Sequence, residues 1–237
     1  MTWADTIREQ FDLVDRFTAD ETEYYGPYTT LLTDIFPHAE HFQIVPQSKG
    51  PMTPGSIYFT TIYIDRKRKR PVFFIEIKPF PHLDNLSTRA KADQQMRDRF
   101  VAIIGRNPVI PKLYGISAMG TRFSVYEYNQ ETNVLLPPSI ARDVMYVTDI
   151  APADRWNYEL LEDGGEQKLR GLVAEVKVMC ETIKACACLR LLESFSMIIS
   201  RKETTFILLS LCGKRLFEKL MESCLSSVTA VSTRIQI

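Results

Sequence analysis

The run Val72-Phe73-Phe74-Ile75-Glu76-Ile77-Lys78-Pro79 constrains this chain most, because it is an apolar strand that carries an acid and a base two residues apart. Side chains on a strand alternate between faces, so Glu76 and Lys78 point one way while Ile75 and Ile77 point into the opposite layer. Burying two charges costs several kcal/mol unless they are paired or bind a metal. Two readings follow. An edge strand with one solvated face shows the same alternation, and its Glu and Lys then form a surface pair worth little. Inside a sheet, the same pair is what metal-dependent phosphodiester cleavage needs: a carboxylate to hold a divalent cation and an ammonium to steady the attacking hydroxide or the phosphate.

The surrounding charge favours a polyanionic ligand. Residues 1 to 48 carry 2 basic and 9 acidic side chains, whereas residues 49 to 100 carry 11 basic and 5 acidic ones. The basic half therefore surrounds Glu76 and Lys78, which suits a substrate made of phosphates. A chain of 237 residues with 45% hydrophobic and 24% charged content has enough apolar material for one sizeable core plus a tail, in the ordinary soluble range. Met1-Thr2-Trp3-Ala4-Asp5 leads into a polar, acidic segment rather than a basic start and an apolar run. The longest apolar tract, Phe206 to Cys212, is too short for a membrane span. The expectation is an intracellular protein, nuclear or cytoplasmic, with no membrane partner. The five cysteines are odd in number, late in the chain and without a nearby histidine, which fits neither a disulfide framework nor a zinc site. No histidine triad or glycine-rich phosphate loop is present, so serine or cysteine hydrolysis and nucleotide hydrolysis have no support.

Periodicity predicts an N-terminal helix from about Trp3 to Phe17 and a second from about Asp20 to Phe36, with Tyr24, Tyr28, Leu31, Leu32 and Ile35 as its apolar stripe. His41 to Pro46 reads as a short strand. Ser56 to Ile64 and Pro71 to Lys78 read as a hairpin around the basic turn at residues 65 to 70. Ser87 is placed to cap a helix that runs to a stop at Gly105. Lys112 to Ala118 and Arg122 to Tyr128 form a further strand pair, residues 129 to 165 are loop-rich, and Glu166 onward is helical.

Read in order, the middle of the chain is helix, strand, strand, strand, helix, strand, with Glu76-Ile77-Lys78 at the end of the third strand. Together with Ala92-Asp93-Gln94-Gln95-Met96-Arg97 and Leu113-Tyr114-Gly115-Ile116-Ser117-Ala118, this resembles the PD-(D/E)XK nuclease superfamily, and most of all PD-(D/E)XK-like domains from fungal genomes. The resemblance covers residues 20 to 183. It implies an α/β (α+β) fold with a restriction-endonuclease-like αβββαβ core, a central mixed sheet flanked by helices, and additional N- and C-terminal helices. It implies a Mg2+- or Mn2+-dependent nuclease acting on DNA, with Glu76 as metal ligand, Lys78 as the stabilising cation and the Ile77 carbonyl as a further metal oxygen. Members of the superfamily also place an acid on the second strand, across from the glutamate. A turn centred near Arg68 puts Thr60 opposite Glu76 and leaves Asp65 about 16 Å along the strand, too far to share an ion. The position expected to hold the acid falls near Tyr58, a poor magnesium ligand.

Some superfamily members complete the site with a helical glutamate, a role the resemblance maps onto Glu23 or Glu21, which otherwise read as an acidic first turn complementing the helix dipole. Gln95 is the candidate for orienting water or phosphate from the following helix. Arg66, Lys67 and Arg68 at the hairpin tip, with Arg89 and Arg97 on that helix, are the candidate phosphate contacts. The basic run also reads as a plain solvated turn or a nuclear localisation signal. The competing function is a catalytically inactive descendant of the fold that binds nucleic acid or protein.

All 13 prolines, all 10 tyrosines and both tryptophans fall before residue 159, and every cysteine falls after 179. The expected organisation is an N-terminal helix over residues 1 to 19, the nuclease-like domain over 20 to 183, and a tail over 184 to 237. That tail is either a helical extension or a misassembled end of the gene model.

Overall fold

The computed structural model describes residues 2–45, 59–63, 71–105, 110–143 and 145–200, with side chains in 59–63 and 184–200 left aside. Eleven elements organise them: α1 (Asp5–Asp12), α2 (Tyr25–Ile35), β1 (Gln43–Val45), β2 (Phe59–Tyr63), β3 (Pro71–Lys78), α3 (Leu86–Ile104), β4 (Lys112–Met119), β5 (Arg122–Asn129), β6 (Val134–Leu136), β7 (Tyr158–Glu159) and α4 (Asp163–Ser200). The strands form one mixed sheet in the order β1-β2-β3-β4-β5-β6, with β7 also paired to β5. Only β3 and β4 run parallel among the described pairs, because α3 crosses over between them; the others are antiparallel.

The position of β3 removes the edge-strand reading. It lies between β2 and β4 and is buried at every residue from Pro71 to Lys78. Its two faces meet different helices. Phe73 packs against Phe36 at the end of α2, while Phe74 meets Phe100 of α3 with ring centroids 4.9 Å apart. The even-numbered face, which includes Glu76 and Lys78, is therefore the α3 face. Gly115 on β4 makes that contact close: a Cβ there would lie 2.5 Å from the Phe74 ring and 2.9 Å from Met96 of α3.

The β4–β5 hairpin fixes the end of β3. Gly120 takes a positive φ of 61°, which glycine adopts without strain, and its amide donates to the Lys78 carbonyl at 2.8 Å. The Tyr28 hydroxyl then donates to the Gly120 carbonyl at 2.7 Å, so α2, the hairpin and the end of β3 are joined at one point.

Several local expectations shift. The helix expected from Trp3 to Phe17 is confined to Asp5–Asp12 and packs its Phe11 edge-on to Tyr28, 5.0 Å between centroids. The segment from Asp20 opens as a 3-10 turn over Glu21–Tyr24 before α2 begins. The register places Phe59, not Thr60, opposite Glu76, with a register shift at Ile62/Tyr63. The loop-rich 129–165 segment contains two short strands, β6 and β7, too brief to show a period. The chain divides into compact units at residues 1–176 and 177–237, and α1 belongs to the first of them. Among the described residues no helix is long and apolar enough to cross a membrane.

Candidate active site

Two charges end up inside the sheet: Glu76 is 4% exposed and Lys78 6%. Lys78 Nζ lies 2.9 Å from Glu21 Oε2, a hydrogen-bonded ion pair, and 3.9 Å from Glu76 Oε1, an electrostatic contact beyond hydrogen-bond reach. The ammonium thus sits between two carboxylates drawn from sequence positions more than fifty residues apart.

Glu21 reaches this position because of local turn chemistry. Asp20 accepts from the Thr22 amide at 2.9 Å and from the Thr22 hydroxyl at 2.7 Å, capping the 3-10 turn. The same bonds hold the Asp20 carboxyl below its ordinary range. Tyr25, one helical turn on, donates its hydroxyl to Glu21 Oε1 at 2.9 Å and steadies the carboxylate. Glu23 lies two residues on in a turn of three residues per revolution, and so leaves in another direction. It is exposed and accepts from the Thr18 hydroxyl at 2.9 Å. Of the two helical glutamates, the structure brings Glu21 to Lys78 and leaves Glu23 away from it.

Glu76 Oε1 is buried with no hydrogen-bond partner among the described residues. Burial pushes its carboxyl up to about 7, against the pull of Lys78 and then Arg99, with Glu21 and Asp98 adding to the rise. Arg99 and Asp98 belong to α3, the helix whose Phe100 packs on Phe74 of the same face of β3. Gln95 is four residues before Arg99 and three before Asp98, on the same stripe of the helix. Its Oε1 is the other buried side-chain oxygen left without a partner among the described residues. Orphaned buried acceptors are rare and cost about 1–3 kcal/mol each, and here two of them, Glu76 Oε1 and Gln95 Oε1, are left on β3 and α3.

His82 follows β3 on a 3-10 turn over Phe80–Asp84. Burial and the nearby Lys78 ammonium hold its imidazole below the usual histidine range, with Lys91 adding to this and Glu21 opposing it. Sequence reasoning passed over this histidine because its spacing matches no triad.

The donor set fits a hard cation in part. Glu76 supplies a buried oxygen that accepts no hydrogen bond, while both oxygens of Glu21, the nearby second carboxylate, are engaged by Tyr25 and Lys78. Among the described residues, however, no group of three His, Cys, Asp or Glu side chains is assembled for a metal. Tyr58 and Asp65, the second-strand positions weighed for the missing acid, lie outside the described residues, as do Arg66, Lys67 and Arg68.

Arg89 and Arg97 direct their guanidinium groups to partners within the fold. Arg89 is 7% exposed and spends its guanidinium on the Ala151 carbonyl (2.9 Å), the Leu83 carbonyl (2.7 Å) and Asp149 (2.6 Å). Arg97 bonds Asp93 at 2.8 Å and the Pro137 carbonyl at 3.0 Å. Asp93 also takes Arg155 at 2.6 Å and the Tyr126 hydroxyl at 2.7 Å. Both arginines therefore tie the 129–156 segment onto α3, a long-range role that a polar helix face does not reveal.

No protein-family model, curated protein or solved structure matches this chain.

Proposed function

We propose that this protein is a divalent-metal-dependent nuclease that hydrolyses DNA phosphodiester bonds on a restriction-endonuclease-like core of the PD-(D/E)XK type. The observation that carries the reading is the buried, unsatisfied Glu76 carboxylate beside Lys78 on a central strand. A structural ion pair in that place would be closed on itself, whereas here the second carboxylate takes the lysine and leaves Glu76 open. Glu76 and Glu21, with the Ile77 carbonyl, are the groups that would hold Mg2+ or Mn2+. When bound, the ion supplies a Lewis acid for the phosphoryl oxygen and acidifies a water.

The chain's own residues then divide the remaining work. Glu21 fixes Lys78 so that its ammonium meets negative charge developing on the attacking oxygen and the phosphoryl group. Gln95 offers a carbonyl oxygen to a water proton, and its unsatisfied state leaves it open to one. Closing β3 between β2 and β4 keeps bulk water from screening these charges.

Cleavage of supercoiled plasmid and single-stranded DNA in Mg2+ or Mn2+ tests this reading. The wild type is expected to cut, Glu76→Ala and Lys78→Ala to abolish cutting, Glu21→Gln to reduce it strongly and Glu23→Gln to leave it unchanged. A wild type that stays silent with both metals sinks the catalytic reading. Silence of every variant as well then favours the non-catalytic binding module.

A further inference from the structure

A groove of about 530 Å³ runs between α3 and a second wall made by residues 142, 143, 146–148 and 150, and Ser87, Lys91 and Gln94 form its helical wall. The loop wall presents Arg142, Tyr146 and Thr148. Lys91 is four residues before Gln95, so the groove and the candidate active site occupy adjacent turns of one helix.

Both walls are fixed in advance. Arg89 holds Asp149 and the Ala151 carbonyl against α3. Asp143, the one acid among the described residues that line the groove, accepts from the amides of Met145 (2.7 Å) and Tyr146 (3.1 Å), and its own amide donates to the Thr148 hydroxyl at 3.1 Å. That closed turn holds Tyr146 out, 78% exposed, with Met145 and Val147 also exposed beside it. A monomer has no packing reason to hold three large side chains in water on a pinned loop.

We infer that this groove is a subsite for single-stranded DNA leading away from the site of cleavage, an assignment that rests on the nuclease reading. Lys91 and Arg142 are the cations for its backbone phosphates, and Tyr146 is the platform on which a base stacks. Cations tracking the backbone beside an exposed aromatic ring are the general means by which single strands are held without sequence readout, since every base has a stacking face. A duplex buries its base faces in its own stack and offers nothing to Tyr146. A protein partner would use the same apolar side chains but would not require both cations.

Fluorescence anisotropy of the full chain with a short labelled single-stranded oligonucleotide, and with its blunt duplex, tests the groove in EDTA, where no cleavage is needed. The single strand is expected to bind tighter than the duplex, and Tyr146→Ala to weaken it about tenfold. Lys91→Ala and Arg142→Ala are each expected to reduce the slope of log affinity against log salt by about 0.7. Equal affinity for single strand and duplex, or affinity unchanged in all three variants, overturns the assignment. Cleavage in Mg2+ is scored separately. A wild type that binds through Tyr146 yet never cuts supports the subsite while removing the nuclease reading, and a wild type that cuts but is indifferent to all three substitutions does the reverse.

Discussion

Replacing Glu76 by Gln is expected to make the metal-free protein more stable while removing the proposed DNA cleavage. The Glu76 carboxyl rises from 4.5 to about 7 because burial disfavours its charged form. A raised folded-state value means that the native chain holds the proton more tightly than the unfolded chain. The associated stability is complete below pH 4.5 and is lost as pH rises through 7. Above that, the ionised carboxylate costs about 3 kcal/mol, taking 1.36 kcal/mol per unit. Glutamine keeps the shape without the charge, and its amide costs about 1 kcal/mol to bury unpaired. The net expectation is a gain of about 2 kcal/mol at pH 8, or about 6 °C in melting temperature for a chain of this size. The assay is thermal unfolding of wild type and variant in EDTA at pH 8 and again near pH 4.5, where the gain should have vanished. Added Mg2+ should then raise the melting temperature of the wild type and not of the variant. A variant that is less stable at pH 8, or a difference that does not depend on pH, would refute the claim that Glu76 is a buried, uncompensated carboxylate.

Two further substitutions probe the scaffold that holds the site. Gly115→Ala is expected to lose about 1–3 kcal/mol in urea unfolding, because the new methyl group meets the Phe74 ring and Met96 at the contact that seats α3 on β3. Asp93→Ala should cost about 3–5 kcal/mol, since it strands Arg97, Arg155 and the Tyr126 hydroxyl in a buried place, and limited proteolysis should then cut within residues 129–156 first.

Short-range rules made part of this molecule legible in its sequence. The two-residue period of a strand placed Glu76 and Lys78 on one face without reference to anything else in the chain. Gly105 and the apolar stripe of residues 24–35 located α3 and α2 to within a few residues, because helix ends and faces follow from nearby side chains. The mixed α+β class, strands interspersed with helices, was readable for the same reason.

Everything that depends on what covers a face was decided by tertiary structure. A charged, apolar strand reads alike at an edge and in the middle of a sheet, and only pairing with both β2 and β4 buries Glu76 and raises its carboxyl. Glu21 and Glu23 are equivalent acids in sequence, separated by a 3-10 turn whose direction the Asp20 cap sets and whose target, Lys78, lies on another element. Arg89 and Arg97 look like solvated basic side chains until the 129–156 segment folds over α3 and takes up their donors. Periodicity and capping act within a few residues and are written locally. Desolvation and ion pairing depend on which surfaces meet, and that is settled only when the whole sheet is assembled.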